Sequence, residues 1–525
     1  MKEARLVNHL TLQDWLALLI LGVAISTLSA LMLSTPGYMD AEYYYATGKQ
    51  IAGGEGFREP FIWNFLDDPE GIPHPSHHYW MPLPSILAAL GIALFGESFR
   101  AAQLPFTILT ALLPMFTAWL ALYLNRKPGD AFQSGVLAAL PGFFLPYLVT
   151  TDAFSAYIFV GSGTLLLMAR AEKKKGWFRW IVVGVGIGLA HLTRADGLLL
   201  FLPALAALWF SRRDRWLGLG AVVFGYGLVM SPWWIRNMQA FGGIFPPGTT
   251  RSLWQRTYDE LFAYPASRLS FQHWITAGVE RIIMVRFAAL WTNIQRLIAE
   301  NGLIFLGPLM VLGARRLWHH ALVRLTFLYL FTLLFVLSFV FPFAGARGGF
   351  FHSSIAVLPV FWTLAPVGLR EVVAWGAKWR GWSEEDAYIV FSRAMVVMAL
   401  ALTIGLFAAK VFSPPAWDSP MRSYKNVGEM LLDLTEDPGI VMVNNPPGFH
   451  LATGLPAVVV PDGDPLTLRE VARRYGVGWI VLDENHPGRL TDLYQDPTSV
   501  PWLELREKMD RGGVLFLEVR TGEGD

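Results

Sequence analysis

The sequence contains no cysteine. That excludes disulfide staples, thiol chemistry and thiolate metal centres, so any exported part must fold without covalent cross-links. Charge is scarce as well: 16% of the 525 residues are charged, against 54% hydrophobic. A soluble chain carries about a quarter charged residues. The 42 basic and 41 acidic side chains nearly cancel, and a net charge of +1 gives no basis for nucleic-acid binding. No internal repeat or low-complexity tract occurs. The charges present sit in short clusters between stretches almost free of charge. This is the pattern of many membrane spans rather than of one large apolar core. The 49 glycines and 33 prolines do not oppose helices there, because spans tolerate both.

About eleven spans are expected. They cover 15–33, 101–124, 131–149, 153–168, 180–193, 198–210, 216–235, 302–313, 325–343, 350–369 and 394–409. The first follows Lys2 and Arg5 and is not closed by a small-residue cleavage site, so it reads as an uncleaved span. Basic clusters recur at every second loop: Arg126 and Lys127; Arg170, Lys173, Lys174 and Lys175; Arg212, Arg213 and Arg215; Arg315, Arg316 and Arg324; Arg370, Lys378 and Arg380. The positive-inside rule then places these clusters and the N-terminus in the cytoplasm. Segments 34–100, 150–152, 193–197, 236–300, 344–349 and everything after Lys410 fall outside. The apolar run 84–95 would invert the clusters that follow it if it crossed. It is therefore expected on the outer membrane surface, opened by Pro82 and Pro84 and closed by Gly96.

After Ser413-Pro414-Pro415 the pattern changes. Helical periodicity over 424–434 and 466–475 alternates with apolar runs at 440–443, 457–460, 479–482 and 513–519. The expected fold is an all-α polytopic membrane domain over 1–412, including an outer loop at 34–100, and a small extracytoplasmic α/β domain over 413–525.

Unusual polar residues cluster on the expected outer face. Asp40 and Glu42 follow the first span directly, in Asp40-Ala41-Glu42-Tyr43-Tyr44-Tyr45. A carboxylate at a membrane boundary is partly desolvated, which raises its pKa toward the range of a general base. In a helix Asp40 and Tyr44 would share a face while Glu42 points elsewhere. The plainer alternative makes Asp40 a helix cap. Asp152, in Thr150-Thr151-Asp152-Ala153, has the same two readings. Arg194, Arg236 and Arg347 stand at outer borders, where positive-inside statistics disfavour them. Each can bind phosphate bidentately or snorkel to headgroups, and Arg194 can also pair with Asp196. Arg347 lies among glycines that would let backbone N–H groups approach an anion. His74, His77 and His78 are metal-ligand residue types, but their Pro-broken spacing does not select a tetrahedral site. Of the outer aromatics Trp63, Trp80, Trp233, Trp234, Trp254 and Trp274, most suit an interfacial belt and some could stack on a sugar.

The order of these features resembles the GT-C class of membrane glycosyltransferases. The similar branch contains the dolichyl-phosphate-mannose–protein mannosyltransferases and the bacterial lipid A aminoarabinose transferases. The residues that carry the resemblance are Met39-Asp40-Ala41-Glu42-Tyr43-Tyr44, Tyr79-Trp80-Met81-Pro82-Leu83-Pro84, Thr151-Asp152, Leu192-Thr193-Arg194-Ala195-Asp196-Gly197, and Arg347 followed by Val357-Leu358-Pro359. They span roughly 11–410. The resemblance implies a polyprenyl-phosphate-sugar donor and inverting transfer on the extracytoplasmic face to a lipid, glycan or protein acceptor. It implies catalytic roles for Asp40, Glu42 and Asp152, and donor-phosphate binding by Arg347, Arg194 and Arg236. Tyr44, His74, His78 and Trp80 are the side chains expected around the acceptor or sugar. The resemblance makes no cofactor certain and leaves a divalent metal open. Asp-Ala-Glu replaces the adjacent Asp-Glu usual in the mannosyltransferases, and their lumenal repeat domains are absent, which leaves the acceptor open. A lipid-linked-sugar flippase is the alternative from another class, but it should carry polar residues along its spans. A third reading is a membrane subunit whose C-terminal domain recruits a partner.

Overall fold

The computed structural model describes residues 9–173, 176–211, 215–246, 248–509 and 513–520. Lys2, Arg5, Lys174, Lys175, Arg212 and Arg213 lie outside the described residues. The chain is a multi-pass helical membrane protein. By length and composition, eight helices among the described residues can cross a membrane, or nine if Pro128–Ala139 and Gly142–Leu148, bent by 46°, form one span. Leu83–Phe95, Arg179–Thr193 and Ala195–Ser211 are shorter apolar helices.

Local chemistry explains the elements. Leu12–Met32 opens with a capping box: Asp14 donates its N–H to Thr11 Oγ1 at 3.2 Å, and Thr11 returns its own N–H to Asp14 Oδ2 at 2.8 Å. Leu83–Phe95 starts at Pro82 and Pro84 and ends where Gly96 takes a φ of 93°. Its 13 residues extend only about 20 Å, short of a hydrocarbon core of about 30 Å. It lies against Met39–Ala52 and Phe99–Asn125. Close helix pairs meet at glycines: a Cβ on Gly184 would stand 2.1 Å from the Val222 carbonyl oxygen.

One stretch differs from the sequence expectation. The 236–300 segment, expected to lie wholly outside, contains a long helix, Val279–Arg296, running through a π turn to Asn301, and it is one of the eight long and apolar enough to cross a membrane. Glu280, Arg281, Arg286 and Arg296 interrupt its hydropathy, and it shows Met284, Phe287 and Trp291 on its exposed side. The apolar run expected at 302–313 becomes Gly307–Leu317.

The basic clusters meet at one end of the bundle. Arg370 pairs with Asp130 at 2.6 Å, Arg324 with Glu172 at 3.4 Å and Arg316 with Glu371 at 3.5 Å. Arg170 lies over Trp119 at 4.7 Å. The 34–100 segment and the C-terminal region pack together at the opposite end. There a six-stranded sheet runs Phe61–Ile62, Ala457–Val459, Ile440–Val443, Val477–Leu482, Val514–Val519, Leu503–Met509. The first four strands are parallel and the last two pair antiparallel. The edge strand Phe61–Ile62 comes from the 34–100 segment, so the two regions share one sheet. Ser419–Leu434 and Pro465–Tyr475 are the expected helices; Pro446–Thr453 and Leu503–Met509 are additional elements.

Candidate active site

Three separate parts of the chain converge at the end opposite the basic clusters. Met39–Ala52 carries Asp40 in its first turn. Tyr38 is the N-cap, without a side-chain capping bond, so Asp40 is not the cap. His352, from the kinked helical stretch after Arg347, places Nε2 3.1 Å from Asp152 Oδ2 and 3.6 Å from Asp40 Oδ2. Its Nδ1 lies 2.9 Å from the Gly348 carbonyl oxygen. Both ring nitrogens thus face acceptors, a setting that suits the doubly protonated ring. The Tyr38 hydroxyl donates to Asp152 Oδ2, and the Ala153 N–H donates to Asp152 Oδ1.

Exposure separates the two carboxylates. Asp152 is 1% exposed and Asp40 29%. Desolvation pushes the Asp40 carboxyl up to about 6, with Asp152 repulsion adding and His352 and Arg194 opposing. Burial alone would raise Asp152 too, but the His352 ring and the Tyr38 and Ala153 bonds hold it below the usual carboxylate range. One carboxylate is therefore fixed as an anion, and its more open neighbour has affinity for a proton.

The arginines have different surroundings. Arg194 forks onto Asp196 at 3.2 and 3.3 Å, and Ser353 also donates to Asp196. Arg347 is exposed, lies 4.7 Å over the Tyr258 ring and has no carboxylate partner among the described residues. Arg236 donates to the carbonyls of Phe57 at 3.1 Å and Ser76 at 2.7 Å, which fixes the backbone of the 34–100 segment.

Tyr44 is buried on the Asp40 face of its helix, within electrostatic reach of Asp40, Asp152 and Arg194. Trp80 is half-buried and stacks on Trp63 with centroids 4.0 Å apart. Glu42 points the other way. It is fully buried, accepts from Asn445 Nδ2 at 2.7 Å and leaves Oε1 without a partner; burial pushes it up to about 7. His74 and His78 are 3% and 1% exposed and face Glu59 and Asp67 rather than Asp40. The structure thus gathers Asp40, Asp152, Arg194 and Tyr44, and places Glu42, Arg236, His74 and His78 elsewhere. His352, Tyr38 and Asn445 were not singled out from sequence. His352 stands in the glycine-rich stretch after Arg347, and that proximity was the available signal. Among the described residues, two groups of three bring their ligating atoms close enough together to hold a metal ion: Asp40, Asp152 and His352, and Glu59, His74 and His78.

A family model described as dolichyl-phosphate-mannose-protein mannosyltransferase matches residues 74–235. Among solved structures, ArnT from Cupriavidus metallidurans in the apo state is similar with a TM-score of 0.57 and 12% identity, over 96% of this chain and 98% of that one. The same protein bound to undecaprenyl phosphate gives 0.54 and 14%, over 98% and 100%. The apo oligosaccharyltransferase of Archaeoglobus fulgidus gives 0.50 and 12%, over 89% and 69%. No curated protein matches the chain. At these identities the likeness is one of fold, shared with ArnT and the archaeal oligosaccharyltransferase.

Proposed function

We propose that this protein transfers a sugar from a polyprenyl-phosphate-linked donor to an acceptor hydroxyl, on the extracytoplasmic face and with inversion. The observation that carries the reading is Asp40: a half-exposed carboxylate raised to about 6, beside a fixed Asp152–His352 pair. The family model and the neighbour bound to undecaprenyl phosphate support the donor class.

Asp40 accepts the proton of the acceptor hydroxyl as that oxygen bonds to the anomeric carbon. The carbon–phosphate-oxygen bond breaks, and its electron pair leaves on the lipid phosphate. Arg347, free of any carboxylate among the described residues, meets that charge, with Arg194 behind it. Asp152 and His352 orient Asp40, and Tyr44 and Trp80 line the sugar. Glu42 positions the C-terminal region through Asn445, and Arg236 positions the loop. A divalent cation would be held by Asp40, Asp152 and His352 in place of the His352 Nε2 proton, and bound there it would supply positive charge for the phosphate.

The topology follows from the gathered basic end, which we place in the cytoplasm. Val279–Asn301 lies along the outer surface: Asn293 bonds to Ser338 and Asn301 to Ser354, both toward the Asp40 end. Gly307–Leu317 then completes a crossing to Arg315 and Arg316, and the count stays near eleven. Residues 1–412 form the transferase unit and 413–525 the extracytoplasmic α/β unit.

The test is mass spectrometry of lipids and surface glycans from cells carrying the parent or Asp40→Asn. A sugar modification lost with the variant, with its lipid-linked donor accumulating, is the expected result. Identical profiles would overturn the reading, and a donor confined to the inner leaflet would favour a flippase.

A further inference from the structure

A second cluster lies within the 34–100 segment, apart from the Asp40 site. The two-residue antiparallel ladder of Arg58–Glu59 with His74–Pro75 sets Glu59 directly opposite His74. His78 follows four residues later, and Asp67 closes the far side. His74 Nδ1 is 3.1 Å from Glu59 Oε1, and His74 Nε2 is 3.0 Å from Asp67 Oδ2. His78 Nδ1 is 3.9 Å from the same Glu59 oxygen, and its Nε2 is 3.7 Å from Asp67 Oδ1. All four side chains are at most 3% exposed.

The cluster is not satisfied by its own hydrogen bonds. Both nitrogens of His78, Glu59 Oε2 and Asp67 Oδ1 are buried without a partner. Buried polar atoms with nothing to bond are costly and rare. On the Glu59 side of the cluster, His78 Nδ1 and Glu59 Oε2 are left without a partner and call for an occupant.

We propose that Glu59, His74 and His78 bind a zinc ion. Two imidazole nitrogens and a carboxylate oxygen are a donor set that suits Zn2+. Ligands at zinc–ligand distances of about 2.0–2.2 Å on a tetrahedron stand roughly 3.3 Å apart. The Glu59 contacts of 3.1 and 3.9 Å to the two Nδ1 atoms bracket that spacing. Asp67, on the Nε2 side, stands 3.0 Å from His74 Nε2 and 3.7 Å from His78 Nε2, behind the two imidazoles. The Tyr43 hydroxyl accepts the His77 N–H at 2.6 Å, one residue before the His78 ligand. Tyr43 stands one turn after Asp40 on the same helix. The ion therefore braces that helix, and its existence does not depend on the transfer chemistry.

The test uses the full chain in detergent, stripped with chelator, reloaded with zinc chloride and desalted. Elemental analysis of the parent should give one zinc per chain, and zinc-edge X-ray absorption should show two imidazole ligands. His78→Gln and Glu59→Gln should retain almost none, while Asp40→Asn retains it all. Chelator should lower the melting midpoint of the parent. A parent that retains no zinc and melts unchanged with chelator overturns the site, leaving His74 clamped between two carboxylates. Zinc lost in Asp40→Asn but kept in His78→Gln overturns it in favour of the Asp40 group. If a variant does not fold, chelator-competition titration of the parent decides: binding weaker than millimolar contradicts the proposal.

Discussion

Asp40 and Asp130 each stand in the first turn of a helix, at opposite ends of the bundle. Both gain the same favourable interaction with a helix N-terminus. Their surroundings differ. Asp130 is 1% exposed and saturated: Oδ1 accepts from Arg370 at 2.6 Å and Tyr388 at 2.8 Å, and Oδ2 from Asn125. Asp40 is 29% exposed, and its one ion-pair partner among the described residues is His352, at 3.6 Å. The arginines repeat the contrast, since Arg370 has a carboxylate partner and Arg347 has none among the described residues. A carboxylate that completes a network holds helices together. One left under-bonded at the mouth of the fold is available for a substrate proton.

The all-or-none test of this comparison is sidedness. A reporter fused after Lys410 should behave as extracytoplasmic, and one at Lys174 as cytoplasmic. Both on one side would dissolve the site assignment.

The two arginines should then dissociate. Arg347→Ala loses a charge-assisted phosphate contact of about 1.5–3 kcal/mol, roughly 10- to 150-fold in donor KM, with the melting midpoint unchanged. Arg370→Ala should do the reverse: a lower melting midpoint and an unchanged donor KM, because it leaves Asp130 buried with Tyr388 and Asn125 alone. Equal small effects would make Arg347 a headgroup anchor.

The mildest test is pH. With Asp40 raised to about 6, kcat/KM should climb about tenfold per unit below that value and flatten above it. Stability should run the opposite way. The folded state holds the Asp40 proton more tightly than the unfolded state, so this contribution is present at low pH and lost as pH rises through about 6. A flat rate profile between pH 5 and 7 would contradict a carboxylate base.

Much of this was legible in the sequence because long apolar runs and basic clusters are strong signals. Asp40 and Asp152 stood out as carboxylates at expected outer boundaries, and Arg347 as a cation where the positive-inside rule disfavours one. Arg194 was read with its Asp196 partner. His352 carries no such mark, since a single histidine in a helix signals nothing until the fold brings Asp152 beside it. Val279–Arg296 was hidden by its own charges, which lower the hydropathy of an exposed amphipathic helix. Phe61–Ile62 is two residues long and pairs with a strand nearly 400 positions away, beyond any local pattern. His74 and His78 had the right chemistry, but the ladder that brings in Glu59 and the turn that brings in Asp67 exist only in three dimensions.

The most direct measurement is turnover of the purified protein with a polyprenyl-phosphate-sugar donor, comparing parent, Asp40→Asn and Asp40→Ala, with melting midpoints recorded on the same samples. Asparagine keeps the shape but cannot take the proton, so turnover should fall roughly 10²–10⁴-fold in both variants. Neither should melt below the parent at neutral pH, since each removes a carboxylate that ionises at a cost there. An Asp40→Asn protein that turns over like the parent, or an Asp40→Ala protein that loses stability instead of turnover, would contradict the assignment of Asp40 as the base.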